Sequence, residues 1–373
     1  MKTLSFLAFG VICTAIVQSS RFRYTPVNVH DFHLDLPPEQ RWTEIVSSYK
    51  SSGPLLVRYF NGLVPDYLRP IIEVIAGDVD KYLGDYGREI KGIANAFDVP
   101  LGIAVTLNFL YELRRFGPGH PNITKDGRYE PNACTSIVAQ DADGKIYHGR
   151  NLDWNIPDYL KNLTIQINAY YGSQKVFSAS TFVGYVGVFT GMKPGAFSVS
   201  LNERALGGNV IANVIEDVLY GTITVTHLVR QVLEQETDYA GAVSRLMHDK
   251  ITAPAYLITA GINAGQGGVI TRDRNAVKAF WCLGDVPQPS KAESWYVLET
   301  NYDYWMSPPP TDNRRKYGIS MMNEKGRDGA ASLDGLWHVL TTWPVLNRYT
   351  TYTTLIDPAN ATMQCFIDYY YRE

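Results

Sequence analysis

The sequence has almost no net charge: 34 Lys and Arg stand against 37 Asp and Glu, a formal -3 over 373 residues. It therefore lacks the basic footprint of a nucleic-acid binder, and no nucleic-acid partner is expected. Charge of either sign is scarce, 19% against a usual share of about 25%. With 45% hydrophobic residues, a disordered tail protein is excluded. The absence of internal repeats and low-complexity stretches leaves out solenoids and coiled coils. Cysteine is sparse, four in all, too few for a disulfide-built miniprotein. No Cys/His pair has the spacing of a zinc site, and neither a metal nor a cofactor is expected. Aromatics are plentiful instead: 25 Tyr and 14 Phe in a weakly charged chain suggest an aromatic surface or a site for an apolar ligand. The length suffices for one large domain, or two ordinary ones, with a sizeable core.

Long apolar runs are missing with one exception. Met1 and Lys2 precede an apolar run from Leu4 to Val17, roughly 14 residues and too short to cross a bilayer. Ser19 and Ser20 follow it, so residues 1–20 read as a secretory signal peptide. Its removal takes Cys13 away and leaves Cys134, Cys282 and Cys365. Sequons at Asn122, Asn162 and Asn360 agree with passage through the secretory pathway. In an oxidising compartment an odd cysteine is either reactive or joined to another chain. Whether Cys282 and Cys365 pair with each other is left open.

Residues 37–116 have a helical pattern, with Leu63, Tyr67, Leu68, Ile71, Ile72 and Ile75 at three- and four-residue spacing. A second helix is predicted over 86–97 and a third with Pro100 in its first turn, ending near Arg114. Residues 116–131 are rich in Gly, Pro, Asn and charge, and read as an exposed loop open to nicking. Strands then dominate. Those over 135–139 and 145–149 flank an Asp141-Ala142-Asp143-Gly144 turn and form a hairpin. Further strands are predicted over 163–167, 175–180, 196–201, 255–259, 268–271, 294–300 and 350–356. Helices are predicted over 210–218, 225–235, 239–248 and 333–340. Strands and helices mix without strict βαβ alternation, which favours an α+β layered domain.

Cys134 opens the first strand, directly after the loop. If the Ala133–Cys134 bond were cut, Cys134 would carry a thiol and a free α-amine. Such an amine, with an ordinary pKa of about 7.7 to 8.0, can act as base for its own side chain. An ordinary buried strand cysteine is the plainer reading of the position alone. Two hairpin registers are open: a two-residue turn sets Cys134 against Asp153, and a four-residue loop sets it against Asn151. Either brings Arg150 and Asp153 close enough to tune the ionisation of the amine and thiol. A surface Arg–Asp pair would look the same in the sequence.

Several motifs here resemble one family. Cys134-Thr-Ser-Ile-Val138 and His148-Gly-Arg-Asn-Leu-Asp153 are similar to the self-cleaving start of the acid ceramidase and N-acylethanolamine-hydrolysing acid amidase family. The likeness continues through Glu89-Ile-Lys-Gly-Ile93, Gly184-Tyr-Val-Gly187, Leu201-Asn-Glu-Arg204, Val269-Ile-Thr-Arg-Asp273, Glu299-Thr-Asn-Tyr-Asp303 and Tyr352-Thr-Thr-Leu-Ile356. These are N-terminal-nucleophile hydrolases. The resemblance implies an αββα sandwich, with a helical α-chain of residues 21–133 packed on a catalytic β-chain of residues 134–373. It implies Cys134 as nucleophile and base, freed by cleavage after Ala133, and Arg150 and Asp153 as residues positioning its amine and thiolate. Asn301 matches an oxyanion-hole donor, Arg314 an arginine of the same site, and Glu203 an acidic residue near the scissile amide. A turn asparagine and a paired strand-end charge are the plainer readings of Asn301 and Glu203.

The activity so implied is hydrolysis of a fatty-acyl amide in the lysosome, with a secreted pool also open, by an α/β heterodimer made from one precursor. The apolar N-terminal helices would cover the acyl chain or meet a lipid surface, with Phe60, Leu63 and Phe109 foremost; core packing explains the same stripe. Ceramide and N-acylethanolamine both remain as substrates. Residues 134–153 look more like the amidase, whereas Pro194-Gly-Ala-Phe-Ser-Val-Ser-Leu-Asn-Glu203 and Trp343-Pro-Val-Leu-Asn347 look more like the ceramidase. No cysteine lies between residues 21 and 133, so the disulfide joining the two chains of acid ceramidases cannot form. A papain-like protease would need a histidine beside Cys134, with His148, His227, His248 and His338 available, and a non-enzymatic lipid carrier would need no cleavage at all.

Overall fold

The computed structural model describes residues 22–63, 67, 69–109, 111, 134–204, 223–286, 292–309 and 312–370. The signal peptide, Ala133, Asn122, the loop over 116–131 and the helix expected over 210–218 lie outside the described residues. Segments after the loop, joined by two from the N-terminal part, pair into two sheets. One has six strands in the order β1 (Phe22–Pro26), β14 (Thr362–Tyr370), β13 (Thr350–Asp357), β4 (Ile146–Asp153), β3 (Thr135–Gln140) and β12 (Tyr296–Glu299). The other has eight: β11 (Val277–Cys282), β10 (Gly267–Arg272), β9 (Ala255–Gly261), β8 (Phe197–Glu203), β7 (Thr190–Lys193), β6 (Gln174–Phe182), β5 (Thr164–Tyr171) and β2 (Asn28–His33). Pairing is antiparallel except between β2 and β5.

Helices cover both outer faces. α8 (Val225–Gln235) and α9 (Tyr239–His248) pack on the eight-stranded sheet, and α10 (Arg314–Ala330) and α11 (Leu333–Leu340) on the six-stranded one. This is the αββα sandwich that the resemblance implies. Between the sheets the packing is polar as well as apolar. Buried His148 on β4 bonds Ser198 at 2.8 Å and Ser200 at 2.9 Å on β8, and Ser180 on β6 bonds Thr354 on β13 at 2.9 Å. Such pairs fix how the sheets sit on each other, because a buried polar group left unpaired would cost about 1–3 kcal/mol.

The N-terminal part holds α1 (Thr43–Ser48), α2 (Gly53–Leu63), α3 (Arg69–Gly77), α4 (Val79–Leu83), α5 (Asp85–Phe97) and α6 (Leu101–Asn108). Pro100 stands at the N-cap of α6, one residue before its first turn. The expectation of a purely helical N-terminal part is corrected here: β1 is an edge strand of one sheet and β2 an edge strand of the other. Phe22-Arg-Tyr-Thr-Pro26 alternates over only four residues and ends in a proline, as suits a short edge strand that pattern reading passes over. The strands β7, β11 and β14, the helix α10 and the short α7 (Asp158–Lys161) are likewise additions to the sequence reading. Cys134, Cys282 and Cys365 are all free thiols, so the pairing of Cys282 with Cys365 that the sequence left open is not made.

Candidate active site

The β3–β4 hairpin corrects both expected registers. Ser136 pairs with Arg150 and Thr135 with Asn151, so one residue further back Cys134 falls opposite Leu152. The cause lies in the turn. Asp141 and Lys145 close a three-residue loop, Gly144 takes φ +88°, and the Asp141 side chain accepts from the N–H of Asp143 at 3.0 Å and of Lys145 at 2.9 Å. Loops of this length use a glycine at the left-handed position.

Cys134 is buried, and its main chain is held at both ends. Its N–H donates to Asn301 Oδ1 at 2.6 Å, and its carbonyl accepts from Arg314 Nη1 at 2.7 Å. Asn301 sits in the loop directly after β12, and its Nδ2 donates to the Glu203 carbonyl at 2.8 Å. Arg314 opens α10, where the helix dipole disfavours a cation. Asp312 compensates, taking Nε at 2.9 Å and Nη2 at 2.6 Å. Asp153 lies 3.6 Å from Arg314 Nη1, and its carboxylate accepts from Asn347 Nδ2 and Thr350 Oγ1, both at 2.7 Å. Asn301 rather than Asp153 therefore holds the Cys134 nitrogen.

Arg150 lies close enough to Cys134 for its charge to favour the thiolate. It is fully buried and spends its donors on Thr190 Oγ1 at 2.5 Å, Tyr352 Oη at 3.1 Å and the Leu201 carbonyl at 2.8 Å. Burial pushes the Cys134 thiol up, against the pull of Arg150 and Arg314. The thiol is therefore held protonated, and ionising it calls for a base. Burial also pushes Asp153 up to about 7, against Arg314 and the bonds from Thr350 and Asn347. His148 is no such base for Cys134, since both its ring nitrogens are taken by Ser198 and Ser200. Among the described histidines, His227 bonds Thr224 and His248 bonds the Ser244 carbonyl.

A cleft opens beside the sulfur, lined by Cys134, Asp153 and Glu203 together with Tyr111, Leu152, Trp154, Phe189 and Leu201. Trp154 also lines a second, mostly apolar cavity walled by Leu56 and Phe60 of α2, Leu107 of α6, Ile156, Leu163 and Phe182, among others. Of the three apolar residues singled out in the sequence, Phe60 faces this cavity and Phe109 is buried in the core. The side chain of Leu63 lies outside the described residues. Asn162 and Asn360 are both exposed, as sequon asparagines must be.

Of the six expected site residues, Cys134, Asp153 and Glu203 thus line one cleft, Asn301 and Arg314 hold the Cys134 main chain, and Arg150 is buried close by. Sequence reasoning missed the groups that hold them: Asn347 and Thr350 on Asp153, Asp312 on Arg314, Thr190 and Tyr352 on Arg150. Asn347 and Tyr352 fall inside motifs that carry the resemblance, but nothing in a single sequence says which side chain they meet.

Comparison with known proteins identifies the family. The pattern of the family described as linear amide C-N hydrolases, choloylglycine hydrolase family, matches residues 134–316, opening at Cys134. That of the beta subunit of N-acylethanolamine-hydrolyzing acid amidase matches residues 25–86. Acid ceramidase of Homo sapiens is 34% identical over 359 residues, covering 91% of this chain and 85% of that protein. The N-acylethanolamine-hydrolyzing acid amidase of Caenorhabditis elegans is 34% identical over 354 residues, covering 94% and 93%. A solved structure of a Caenorhabditis elegans ortholog of that amidase superposes with a TM-score of 0.54 at 36% identity, covering 61% of this chain and 93% of its own. The chain belongs to the acid ceramidase and N-acylethanolamine-hydrolysing acid amidase family of N-terminal-nucleophile hydrolases, and is an amide hydrolase.

Proposed function

We propose that this protein hydrolyses fatty-acyl lipid amides with Cys134 as an N-terminal nucleophile, after cutting its own chain between Ala133 and Cys134. The observation that carries the reading is the double grip on the Cys134 main chain, Asn301 on its nitrogen and Arg314 on its carbonyl, beside an aromatic cleft. The Cys134 thiol adds to the Ala133 carbonyl, the C–N bond breaks to leave a thioester and the free α-amine, and water then splits the thioester into an Ala133 carboxylate and the Cys134 thiol. In the matured enzyme that amine takes the thiol proton as sulfur attacks the acyl carbon. The ammonium then protonates the leaving nitrogen, and water clears the thioester to give a fatty acid. Negative charge gathers on the acyl oxygen, where one well-placed donor is worth roughly 10²- to 10³-fold in rate. Asn301 Nδ2 has a second hydrogen available for it, beyond the one given to Glu203.

The apolar walls of the cleft and of the cavity that Trp154 also lines suit an acyl chain. Relatives named acid ceramidase and N-acylethanolamine-hydrolyzing acid amidase are equally identical to this chain, so both amides are proposed substrates. Lysosomal residence with a secreted pool, a cut α/β heterodimer and contact of the N-terminal helices with a lipid surface belong to the same proposal. The test is Cys134→Ala: it should remain a single chain and lose hydrolysis of both amides at acid pH. Two chains of the expected sizes with full activity would end the reading.

A further inference from the structure

The end of β8 grips the segment that carries Asn301 with three consecutive residues. Asn202 Nδ2 donates to the carbonyls of Glu299 at 3.1 Å and Thr300 at 3.0 Å. The Glu203 carbonyl takes Asn301 Nδ2 at 2.8 Å. Arg204 forms a two-pronged pair with Asp303, Nε to Oδ1 at 2.7 Å and Nη2 to Oδ2 at 2.8 Å. From β9, the Tyr256 hydroxyl adds a third donor to Asp303 Oδ1 at 2.7 Å. On the opposite flank Arg315 bonds the Tyr302 carbonyl and the Glu299 carboxylate, with its guanidinium 3.8 Å from the centre of the Tyr302 ring. Arg204, Tyr256 and Asp303 are all buried, and none of them lines the cleft.

A buried ion pair of this kind adds little net stability over apolar side chains of the same size. It does fix geometry, because a two-pronged Arg–carboxylate pair tolerates few orientations. Asn301, two residues from Asp303, needs such fixing. Its Oδ1 must meet the Cys134 nitrogen while its Nδ2 stays aimed where an oxyanion would form, and such a donor acts only within a narrow range of distance.

We infer that Arg204, Asp303 and Tyr256 are positioning residues that set the Asn301 amide for the chemical step. The inference rests on the reading of Cys134 as nucleophile and Asn301 as oxyanion donor. Loosening the strap should slow chemistry and leave substrate binding alone.

The test uses the matured full-length protein and two probes: a fatty-acyl amide of an aminocoumarin for turnover, and iodoacetamide for the thiol. Alkylation displaces iodide from a saturated carbon and forms no oxyanion, so it reports the state of Cys134 without the donor. Asp303→Asn should lower kcat about 10²-fold and Tyr256→Phe roughly 3- to 10-fold, with KM and the alkylation rate both within about twofold. Tyr256→Phe removes one hydroxyl from a ring that stays in place, and so decides the matter even if Asp303→Asn does not fold. Unchanged kcat in Tyr256→Phe overturns the inference, as does a rise in KM alone. A parallel fall of turnover and alkylation also overturns it, because the strap would then act through the thiol. Full turnover by Cys134→Ala is a different result, since it removes the nucleophile reading itself.

Discussion

Asp153 shows how much at this site is decided one side chain at a time. Its carboxylate is buried, pushed up to about 7, and kept ionisable by donors from Asn347 and Thr350 and by Arg314 3.6 Å away. Removing a donor removes stabilisation of the charged form only, so the pKa climbs further. Asn347→Ala should therefore move the acid limb of the kcat/KM profile upward. Each unit of that movement costs about tenfold in rate on the acid side; a profile that does not move would mean that Asp153 need not be ionised. Much at this scale was legible in the sequence. Cys134 stood out by its place after a cuttable loop, and Arg150 and Asp153 by proximity along a hairpin. The register was not legible, because it turns on Asp141 capping two N–H groups and on Gly144 at φ +88°, which together make a loop of three residues where two or four were considered.

Among the elements, those with side-chain caps were read to the residue. α8, α9 and α11 begin after Thr224, Asp238 and Ser332, each of which accepts a main-chain N–H in the first turn. α10 has no such cap and a break at Gly326, and it escaped notice although Arg314 is its first residue. Also hidden was the tie between α5 and α8. Glu89 on α5 is fully buried and accepts from Arg230 Nη1 at 2.6 Å and Nη2 at 2.7 Å, Trp42 Nε1 at 2.9 Å and Arg41 Nη1 at 2.9 Å. Replacing Glu89 by Ala would leave the Arg230 charge buried without this partner, a loss of about 3–5 kcal/mol. Urea unfolding should show that loss as a lower midpoint. Arg88 on the same helix pairs with Glu39 at the surface, the side chains 43% and 42% exposed, and Arg88→Ala should leave the midpoint where it is. Equal effects of the two substitutions would refute the assignment of α5–α8 docking to the buried pair.

For the molecule as a whole, burial of titrating groups ties stability to pH. Burial holds Asp153 and Glu299 at about 7 and Asp368 at about 8, so from pH 8 down to about 4 the folded chain binds protons that the unfolded chain does not. Stability from these three groups grows as pH falls. His148 and His227, held down to about 3 by burial and a nearby arginine, act oppositely once the pH drops below 6.5, where the unfolded histidines take up protons first. With three carboxyls against two histidines, the thermal midpoint should therefore rise from pH 8 down to about 5 and level off toward pH 4.5. Scanning calorimetry across that range checks it, and a midpoint highest at pH 8 would contradict it. The two N-terminal strands have a different consequence. Because residues 22–33 are woven into both sheets, with the Val27 N–H on the Cys365 carbonyl at 3.1 Å, the piece ahead of Cys134 cannot be added late. Under the proposed cut, folding comes first and scission second, which makes maturation a one-way step: once pulled apart, the two pieces should not rebuild the enzyme, and producing them separately should yield none.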